Sequence, residues 1–318
     1  MEGKVFQALV AQLGDLTGEQ RQALITALKR KLPVNEAVTL IETRFDADPV
    51  CAHCGSRHVG GWSSANGLKR YRCKDCLCTF NALSGTSLAQ LHRRDAWFAY
   101  AQALTDGVSL RKAAKRCGIA LDTAFRWRHR FLKAAQGAKS NVVKGIVEMD
   151  ETFIRKSAKG SKRLVGRAPR KRGTAAKPGL ASDDYVPVLI VRDRHGATTD
   201  QMLADLTAPT IAAYLAPVVE TGAVLVSDGR EAYAKFADDR GLLHICLNAS
   251  RGERIYEGFH IQNVNAYTSR LKEWLRRFKG VATRYLASYL GWRRMIEREG
   301  ENLTAARCMS AALLYPAT

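Results

Sequence analysis

The sequence predicts a multidomain α+β protein, because three different patterns follow one another along its 318 residues. Helical apolar spacing comes first, two Cys-x-x-Cys pairs follow, and from about residue 143 short apolar runs alternate with helical stretches. A chain of this length can bury a large core and is expected to form about two to four folding units. The expected boundaries are 1–48, 49–82, 83–140 and 141–318.

The composition points to a polyanionic partner. The chain carries 50 Lys and Arg against 30 Asp and Glu, a formal net charge of +20 with a pI near 9.9. Such an excess favours nucleic acid first and an anionic membrane second. The N-terminus has an acid at position 2 and a broken apolar run, which is wrong for a signal peptide, and no run reaches membrane-spanning length. We therefore expect a soluble intracellular protein without a membrane partner.

The first segment, 1–48, is predicted to be a helical leader. Thr17 and Gln20 have capping-box spacing at the start of an apolar stripe of helical period. No chemistry is indicated for this segment.

The second segment, 49–82, is predicted to be a zinc ribbon. Its two Cys-x-x-Cys pairs are separated by 18 residues, and four thiolates around one ion form the usual structural zinc site. The four predicted ligands are Cys51, Cys54, Cys73 and Cys76. Cys78, His53 or His58 could replace one of them. With no vacant coordination position, Zn²⁺ would stabilise the fold of the ribbon and take no part in catalysis.

The third segment, 83–140, is predicted to contain a helix-turn-helix. Helices are expected from Asp95 to about Leu104, from Ser109 to Cys117 and from about Leu121 to Ala134. The apolar residues expected to face the core from the last helix are Leu121, Ala124, Phe125, Phe131 and Leu132.

The polar side of that third helix is the predicted DNA-reading surface. Thr123, Arg126 and Arg130 project together there and could reach base edges or phosphates in a major groove. The alternative is a helical bundle with a solvated basic face. The neighbouring zinc ribbon and the net charge favour DNA binding.

The fourth segment, 141–318, is predicted to have the element order β-β-β-α-β-α-β-α, which is the ribonuclease H-like order with a mixed sheet. Asp150 ends the first predicted strand region and Asp228 follows the fourth strand, where that topology would bring two carboxylates together. Phosphodiester cleavage or joining requires charge neutralisation and an activated nucleophile, which two carboxylate-bound Mg²⁺ ions supply. Glu148 or Glu151 could contribute a further carboxylate, although this is disfavoured because neighbours of Asp150 in a strand point to the opposite face.

A basic segment, 155–178, is predicted to be a long flexible excursion between the first two strands. Arg155 to Lys177 contains ten Lys or Arg and no acid. It could be a solvated loop, but we favour a strap that adds salt-dependent affinity for DNA. Its predicted DNA-binding residues are Lys162, Arg163, Arg170, Lys171 and Arg172.

The motifs between Cys51 and about Tyr289 occur in an order that resembles one known family. They are the Cys-x-x-Cys pairs, FNALSGTSLA, RKAAKRCGI, FRWRHRFL, MDET, VPVLIVRDR, SDGREAY, HIQNVNAYTSRLKEWLRRFKGV and YLASYL. The chain resembles bacterial insertion-sequence transposases of the 1595 group. The resemblance implies a DDE-type core in which Asn often replaces the last acid and Lys follows seven residues later.

Carried over to this chain, that pattern implies a catalytic quartet of Asp150, Asp228, Asn265 and Lys272, with the first three as Mg²⁺ or Mn²⁺ ligands. Asn265 lies on a predicted helix and supplies an oxygen without charge, whereas Lys272 is placed to meet a phosphate. The family commonly has Asn-His-Ser where this chain has Asn248, Ala249 and Ser250.

The function implied is that of a transposase that binds element ends and performs metal-dependent strand cleavage and strand transfer. Double-stranded DNA, as transposon ends and as target, would be the partner, and a homo-oligomer on DNA is expected. The bacterial cytoplasm, at the nucleoid, is the expected location. The alternatives are a catalytically inactive, transposase-derived DNA-binding regulator and a zinc-ribbon nuclease that hydrolyses without joining.

Overall fold

A computed structural model describes residues 3–137, 139–140, 142–161, 184–247 and 251–313. Its internal packing divides the chain into two units, which are Met1–Phe131 with Leu303–Thr318, and Leu132–Asn302. Each unit has its own core. The predicted basic segment falls mostly outside the described residues.

The first unit combines helices with a small sheet. Its helices are α1 (Gly3–Ala11), α2 (Gly18–Ala47), α3 (Trp97–Thr105), α4 (Leu110–Cys117), the first part of α5 (Leu121–Gly137), and α10 (Ala305–Leu313). Its antiparallel strands are β1 (Val59–Ala65), β2 (Leu68–Cys73) and β3 (Thr79–Asn81). The predicted capping box starts α2, because the Gln20 amide donates to Thr17 Oγ1 and the Thr17 amide donates to Gln20 Oε1.

The last turns of α2 pack on the small sheet. Phe45 stacks against Tyr71 with ring centroids 4.4 Å apart and meets the edge of Phe80 at 5.8 Å. The carboxylate of Glu42 accepts hydrogen bonds from the Tyr71 hydroxyl and the Lys69 amide, both at 2.9 Å. The predicted leader therefore contributes Phe45 and Glu42 to the core of the ribbon that follows it.

Helices α3, α4 and α5 lie close to their predicted bounds. Ser109 caps α4 by accepting a hydrogen bond from the Lys112 amide, and Gly118 ends it at φ +59°, a conformation that glycine adopts without strain. The core face of α5 differs from the predicted one at two residues. Leu121 is 47% exposed because it opens the helix, whereas Trp127 is 3% exposed and packs edge-on against Tyr100.

The second unit is built on a mixed five-stranded sheet. Its strands are β4 (Ile146–Arg155), β5 (Tyr185–Asp193), β6 (Thr198–Met202), β7 (Val224–Ser227) and β8 (Leu243–Cys246). The order across the sheet is β6-β5-β4-β7-β8, with the first three strands antiparallel and β4, β7 and β8 parallel. This arrangement places β4 in the centre.

Helices cover the sheet of the second unit. They are α6 (Ala208–Leu215), α7 (Glu231–Arg240), α8 (Gln262–Arg276) and α9 (Leu286–Glu299). Val147 and Met149 of β4 join a core with α6 and α7, whereas α8 packs against β4 and β5. The predicted order β-β-β-α-β-α-β-α is thus present. Helix α6 ends at Leu215, because Pro217, which follows the C-cap residue Ala216, has no backbone N–H to continue the helical hydrogen bonds.

The division by packing differs from the predicted boundaries at its main junction, which falls after Phe131 and not after residue 140, and at the end of the chain. The sequence placed every residue after 141 in one domain, whereas packing groups Leu303–Thr318 with the first unit. Helix α10 packs there against α3 and α2. The finer division into four domains stays a prediction.

Candidate active site and cysteine cluster

Strands β4 and β7 bring the two predicted aspartates together. Their parallel register pairs Val147 with Leu225 and Glu148 with Val226. Because β7 ends at Ser227, Asp228 follows directly at the carboxyl end of this strand, level with Asp150 on β4. The sheet topology therefore creates the pair that the sequence predicted.

The turn after Asp228 requires glycine. Gly229 has φ +91°, and a Cβ at this position would lie 2.5 Å from the Sγ of Cys246 on β8. A larger residue would therefore displace the Cys246 side chain and would strain the backbone at this positive φ.

Glu151 also belongs to the carboxylate cluster. One carboxylate oxygen from each of Asp150, Glu151 and Asp228 lies within 4.8 Å of the others. Strand alternation disfavoured Glu151 as a further carboxylate of the site, and this expectation was wrong. Beyond Ser227 no β7 backbone covers that edge of β4, so the longer Glu151 side chain reaches the cluster from the other face of the strand.

The electrostatics of the cluster favour a cation. Burial, followed by the charges of Asp228 and Glu151, raises the pKa of Asp150 to about 6, and the ammonium of Lys272 partly opposes that rise. Three carboxylates at this separation repel one another unless positive charge is supplied. Carboxylate oxygens are the ligands that Mg²⁺ and Mn²⁺ prefer, so the donor set fits a hard divalent ion.

Protein groups hold Glu151 in place. Arg230 pairs with its carboxylate, whose side chain is 2% exposed. Burial raises the pKa of Glu151, and the Tyr233 hydroxyl and Arg230 act in the opposite direction. Sequence reasoning missed both partners, although Arg230 follows Asp228 by only two residues.

Helix α8 carries the other two members of the predicted quartet. Val264, Tyr267 and Leu271 are fully buried and form the apolar face of this helix. Asn265 and Lys272 are exposed, and Lys272 is near enough to Asp150 to lower its pKa. The role of Asn265 as a metal ligand stays a prediction.

Aromatic packing fixes the far end of α8. Trp274 meets Trp292 of α9 edge-on at 5.1 Å and Phe278 at 4.8 Å, while Phe278 lies 4.8 Å from Tyr289. Trp292 is fully buried. Lys272, half a turn before Trp274, is thus carried by a well-packed part of the helix.

The near end of α8 is bound by Glu148, which sequence reasoning did not place in the site. Its carboxylate is fully buried and accepts hydrogen bonds from the amides of Asn263 at 2.8 Å and Val264 at 3.0 Å. Arg194 forms an ion pair with it at 2.9 Å. An acid two residues before Asp150 on a central strand was the available signal.

The four predicted cysteines form a cluster in the first unit. Their sulfurs all lie within 4.8 Å of one another, with Cys51 and Cys76 at 3.6 Å and Cys54 and Cys73 at 3.6 Å. Tetrahedral Zn²⁺ with Zn–S bonds of about 2.3 Å would require sulfurs about 3.8 Å apart, whereas a disulfide would require about 2.05 Å. The donor set and spacing therefore fit Zn²⁺.

Within the cysteine cluster the surroundings of Cys73 favour thiolate, whereas the pKa values of Cys54 and Cys76 are raised, and the nearby histidines have other contacts. Backbone N–H groups, first that of Cys76 and also that of Asp75, lower the pKa of Cys73 to about 6 against the effect of burial. His58 instead pairs with Asp75 at 3.2 Å, and the ring of His53 packs 6.2 Å from Phe80.

The predicted DNA-reading residues of α5 have different environments. Arg126 is exposed and pairs with Asp122 at 3.0 Å. The guanidinium of Arg130 is directed inward and donates to the backbone carbonyls of Ser87 and Ala89. Thr123 is half-buried. Of the three, Arg126 is therefore the most accessible to a phosphate.

Several predicted residues lie outside the described residues. They are Lys162, Arg163, Arg170, Lys171 and Arg172 of the basic segment, and Asn248, Ala249 and Ser250. Their predicted roles stay predictions.

Comparison with known proteins finds a family match in the second unit. Residues 142–293 match the family described as the ISXO2-like transposase domain. This match, together with a relative from a transposable element, confirms the resemblance to the 1595 group that the motifs indicated.

A relative and two solved structures were also found. An "uncharacterized protein in transposable element ISH50" of Halobacterium salinarum is 26% identical over 260 residues, covering 79% of this chain and 86% of that protein. A pre-cleavage Mos1 transpososome and a Mos1 transposase paired-end complex with left transposon end are 11% and 14% identical, with TM-scores of 0.23 and 0.21. Each covers 69% of this chain and 80% of the other, and such TM-scores do not establish a common fold.

Among the residues that the structure describes, none of the helices combines the length and the apolar character needed to cross a membrane.

Proposed function

We propose that this chain is a DNA transposase that cleaves and joins DNA strands at the cluster of Asp150, Glu151 and Asp228. The observation that carries the proposal is the convergence of two carboxylates from the middle of β4 with the one that directly follows β7, inside the matched transposase domain. Three carboxylates that repel one another are suited to bind metal ions. The net charge of +20 favours a polyanionic substrate beside them. The sheet order and the helices around it support a ribonuclease H-like core.

The residues of the proposed site have separate roles. Asp150, Glu151 and Asp228 would hold Mg²⁺ or Mn²⁺, which when bound neutralises phosphate charge and activates the attacking hydroxyl. Asn265 offers a neutral oxygen on α8, so its contribution to metal affinity is smaller than that of an acid. Lys272 places an ammonium on the same helix, where it binds a phosphate oxygen or the leaving oxygen.

DNA binding is assigned mainly to the first unit. The exposed guanidinium of Arg126 on α5 is available to phosphates or base edges, and the cysteine cluster with Zn²⁺ keeps the ribbon folded. The basic segment with Lys162, Arg163, Arg170, Lys171 and Arg172 would add salt-dependent affinity. Joining two element ends requires at least two active sites, so a homo-oligomer assembled on DNA is part of the proposal.

The second candidate function is a DNA-binding regulator that no longer cuts. The observation in its favour is the neutral Asn265 at the position where related cores carry a third acid. The presence of Glu151 in the cluster weighs against it, because the domain still assembles three carboxylates.

One assay separates these functions. Purified full-length protein is incubated with DNA containing the element ends and with Mg²⁺ or Mn²⁺, and nicked and joined products are measured. The transposase proposal predicts both products, and their loss in Asp150→Asn. Nicks without joined products would indicate the zinc-ribbon nuclease, whereas tight end binding with no nick in either metal would establish the regulator.

A further inference from the structure

Glu148 is a buried charge that the proposed chemistry does not use. Its side chain is fully buried on the central strand β4, yet it lies outside the cluster formed by Asp150, Glu151 and Asp228. Taking a carboxylate out of water is costly unless it is paired and hydrogen-bonded. Its partners therefore indicate its purpose.

Those partners lie at the start of α8. Glu148 Oε2 accepts from the amides of Asn263 and Val264, and Oε1 accepts from the Asn263 side-chain amide at 2.8 Å. The N-cap residue of α8 is Ile261, which has no side-chain oxygen and makes no side-chain capping bond. Glu148 thus performs from β4 the capping that Ser, Thr, Asp or Asn normally performs locally.

A guanidinium balances the buried charge. Arg194, at the turn between β5 and β6, pairs with Glu148 and also donates to the Gly258 carbonyl at 3.2 Å. His260 Nδ1 lies 3.4 Å from Glu148 Oε1. The segment before α8 therefore contacts Arg194 through the Gly258 carbonyl and Glu148 through His260, in addition to the hydrogen bonds at the start of the helix.

This arrangement connects both parts of the proposed catalytic site. Glu148 and Asp150 are two residues apart on one strand and share a face, which fixes their spacing at about 7 Å. On α8, Val264 immediately precedes Asn265, and Lys272 follows two turns later. A local cap would stabilise α8 equally well but would not fix its position relative to β4.

We propose that Glu148 is a positioning residue that holds Asn265 and Lys272 of α8 in register with Asp150. This inference rests on the proposed strand-cleavage function. A displacement of about 1 Å between α8 and β4 can slow a reaction by up to about 100-fold without removing any group that touches DNA or metal.

A double-mutant cycle on the full-length protein tests the inference. Glu148→Gln, Lys272→Ala and the double variant are compared for the rate of nicking of end-containing DNA in Mg²⁺. Glu148→Gln is expected to slow nicking by about 10- to 100-fold. If Glu148 acts through α8, the double variant should be no more than about twofold slower than the slower single variant.

Two further measurements separate positioning from loss of the site. Calorimetric Mn²⁺ binding and the dissociation constant for DNA should both stay within about threefold of wild type in Glu148→Gln, since neither set of ligands is removed. Glu148→Asp keeps the charge beside Arg194 but shortens the side chain by one methylene. Glu148→Asp therefore serves as the second variant if Glu148→Gln fails to fold. It should also slow nicking, and its rate loss should not multiply with that of Lys272→Ala.

Glu297→Gln is the matched control. Glu297 also contacts α8, through Arg270, but it ties this helix to α9 and to Arg192 of β5 rather than to β4. Glu297→Gln should lower the melting temperature, and any effect of it on the nicking rate should multiply with that of Lys272→Ala. Wild-type nicking by the Glu148 variants, or rate losses that multiply with Lys272→Ala, would overturn the inference. Absence of nicking by the wild-type protein would instead refute the proposed function.

Discussion

Arg230 forms an ion pair with Glu151 beside the carboxylate cluster, and it is connected to Asp228 through a single residue, Gly229. The guanidinium thus supplies positive charge where three carboxylates converge. A divalent ion bound by the cluster would compete with Arg230 for the oxygens of Glu151. The same pair therefore stabilises the metal-free fold and limits metal affinity.

Arg230→Gln should accordingly bind Mn²⁺ about 3- to 10-fold more tightly, while the metal-free protein melts at a lower temperature near pH 8, since the repulsion among the acids is no longer offset. Isothermal calorimetry and thermal unfolding measure the two effects. Arg240→Gln, at the exposed end of the same helix, is the control and should change neither. Weaker Mn²⁺ binding by Arg230→Gln would contradict this account of the pair.

The raised pKa of Asp150 predicts a stability change with pH. Its pKa rises from 3.8 to about 6 on folding, so between these values the folded state holds more protons than the unfolded state. The free energy of unfolding should therefore fall as pH rises from about 4 to 6, by roughly 1 to 3 kcal/mol for this group. Asp150→Asn should be more stable than wild type at pH 7.5 and indistinguishable below pH 4.

Urea unfolding at pH 3.5, 5 and 7.5 measures this difference, with Asp239→Asn on the exposed face of α7 as control. Saturating Mg²⁺ should raise the melting temperature of wild type at pH 7.5 and leave Asp150→Asn nearly unchanged, because a ligand stabilises only the state that binds it. An Asp150→Asn variant that is less stable than wild type at pH 7.5 without metal would show that the cluster is not electrostatically strained.

The cysteine cluster predicts about one Zn²⁺ per chain. Cys54→Ser or Cys73→Ser should lose the ion and end binding, while the unit that contains Asp228 stays folded. Cys78→Ser is a matched control, because Cys78 lies outside the cluster although it is close in sequence. Elemental analysis of freshly purified protein provides the measurement, and zinc-free wild-type protein would refute the assignment.

Binding and cutting should be separable. Arg126→Ala should weaken end binding and reduce its salt dependence without a change in melting temperature, since its side chain is exposed. Arg130→Ala should also weaken binding, but with a loss of stability, because it removes bonds to Ser87 and Ala89. Asp150→Asn and Asp228→Asn should abolish nicking and leave binding nearly intact. Gel-shift and nicking assays test these outcomes, and nicking by either Asp variant would disprove the catalytic assignment.

The role of Asn265 follows from its neutral oxygen. Asn265→Ala should raise the Mg²⁺ concentration required and slow nicking by about one to three orders of magnitude, whereas Asn265→Asp or →Glu should retain activity and bind Mg²⁺ more tightly. Lys272→Ala should slow strand transfer at an unchanged metal requirement. A Mg²⁺ titration of the nicking rate is the measurement. Wild-type behaviour of Asn265→Ala across it would leave Asn265 as an ordinary exposed helix residue.

Local patterns account for what the sequence predicted well. Apolar runs and helical spacing gave the order of β4 to α8, and the predicted position of Asp228 depended only on where β7 ends. The capping box of Thr17 and Gln20 is equally local, because it is complete within a few residues.

The features that the sequence did not predict depend on neighbours distant in the chain. Strand alternation alone placed Glu151 on the wrong side, because it does not reveal that β7 stops short and exposes one edge of β4. Helical period alone placed Leu121 in the core, although the first residue of a helix has fewer neighbours than Trp127 one and a half turns later. The hydrogen bonds of Arg130 to the backbone carbonyls of Ser87 and Ala89 were not predicted either, because a helical pattern does not reveal acceptors on other segments.

The dependence of α8 on Glu148 also sets an order of events during folding. The two groups are 115 positions apart in the chain, so the helix that carries Lys272 lacks its cap until β4 has taken its place in the sheet. A segment of 15 residues with an isoleucine at its N-cap is marginal as an isolated helix in water. Because contacts between such distant residues form slowly, α8 is completed late. Under the proposed function, a newly synthesised chain would form helices α3 to α5 before its catalytic centre is complete, and strand cleavage would begin only after the whole domain has folded.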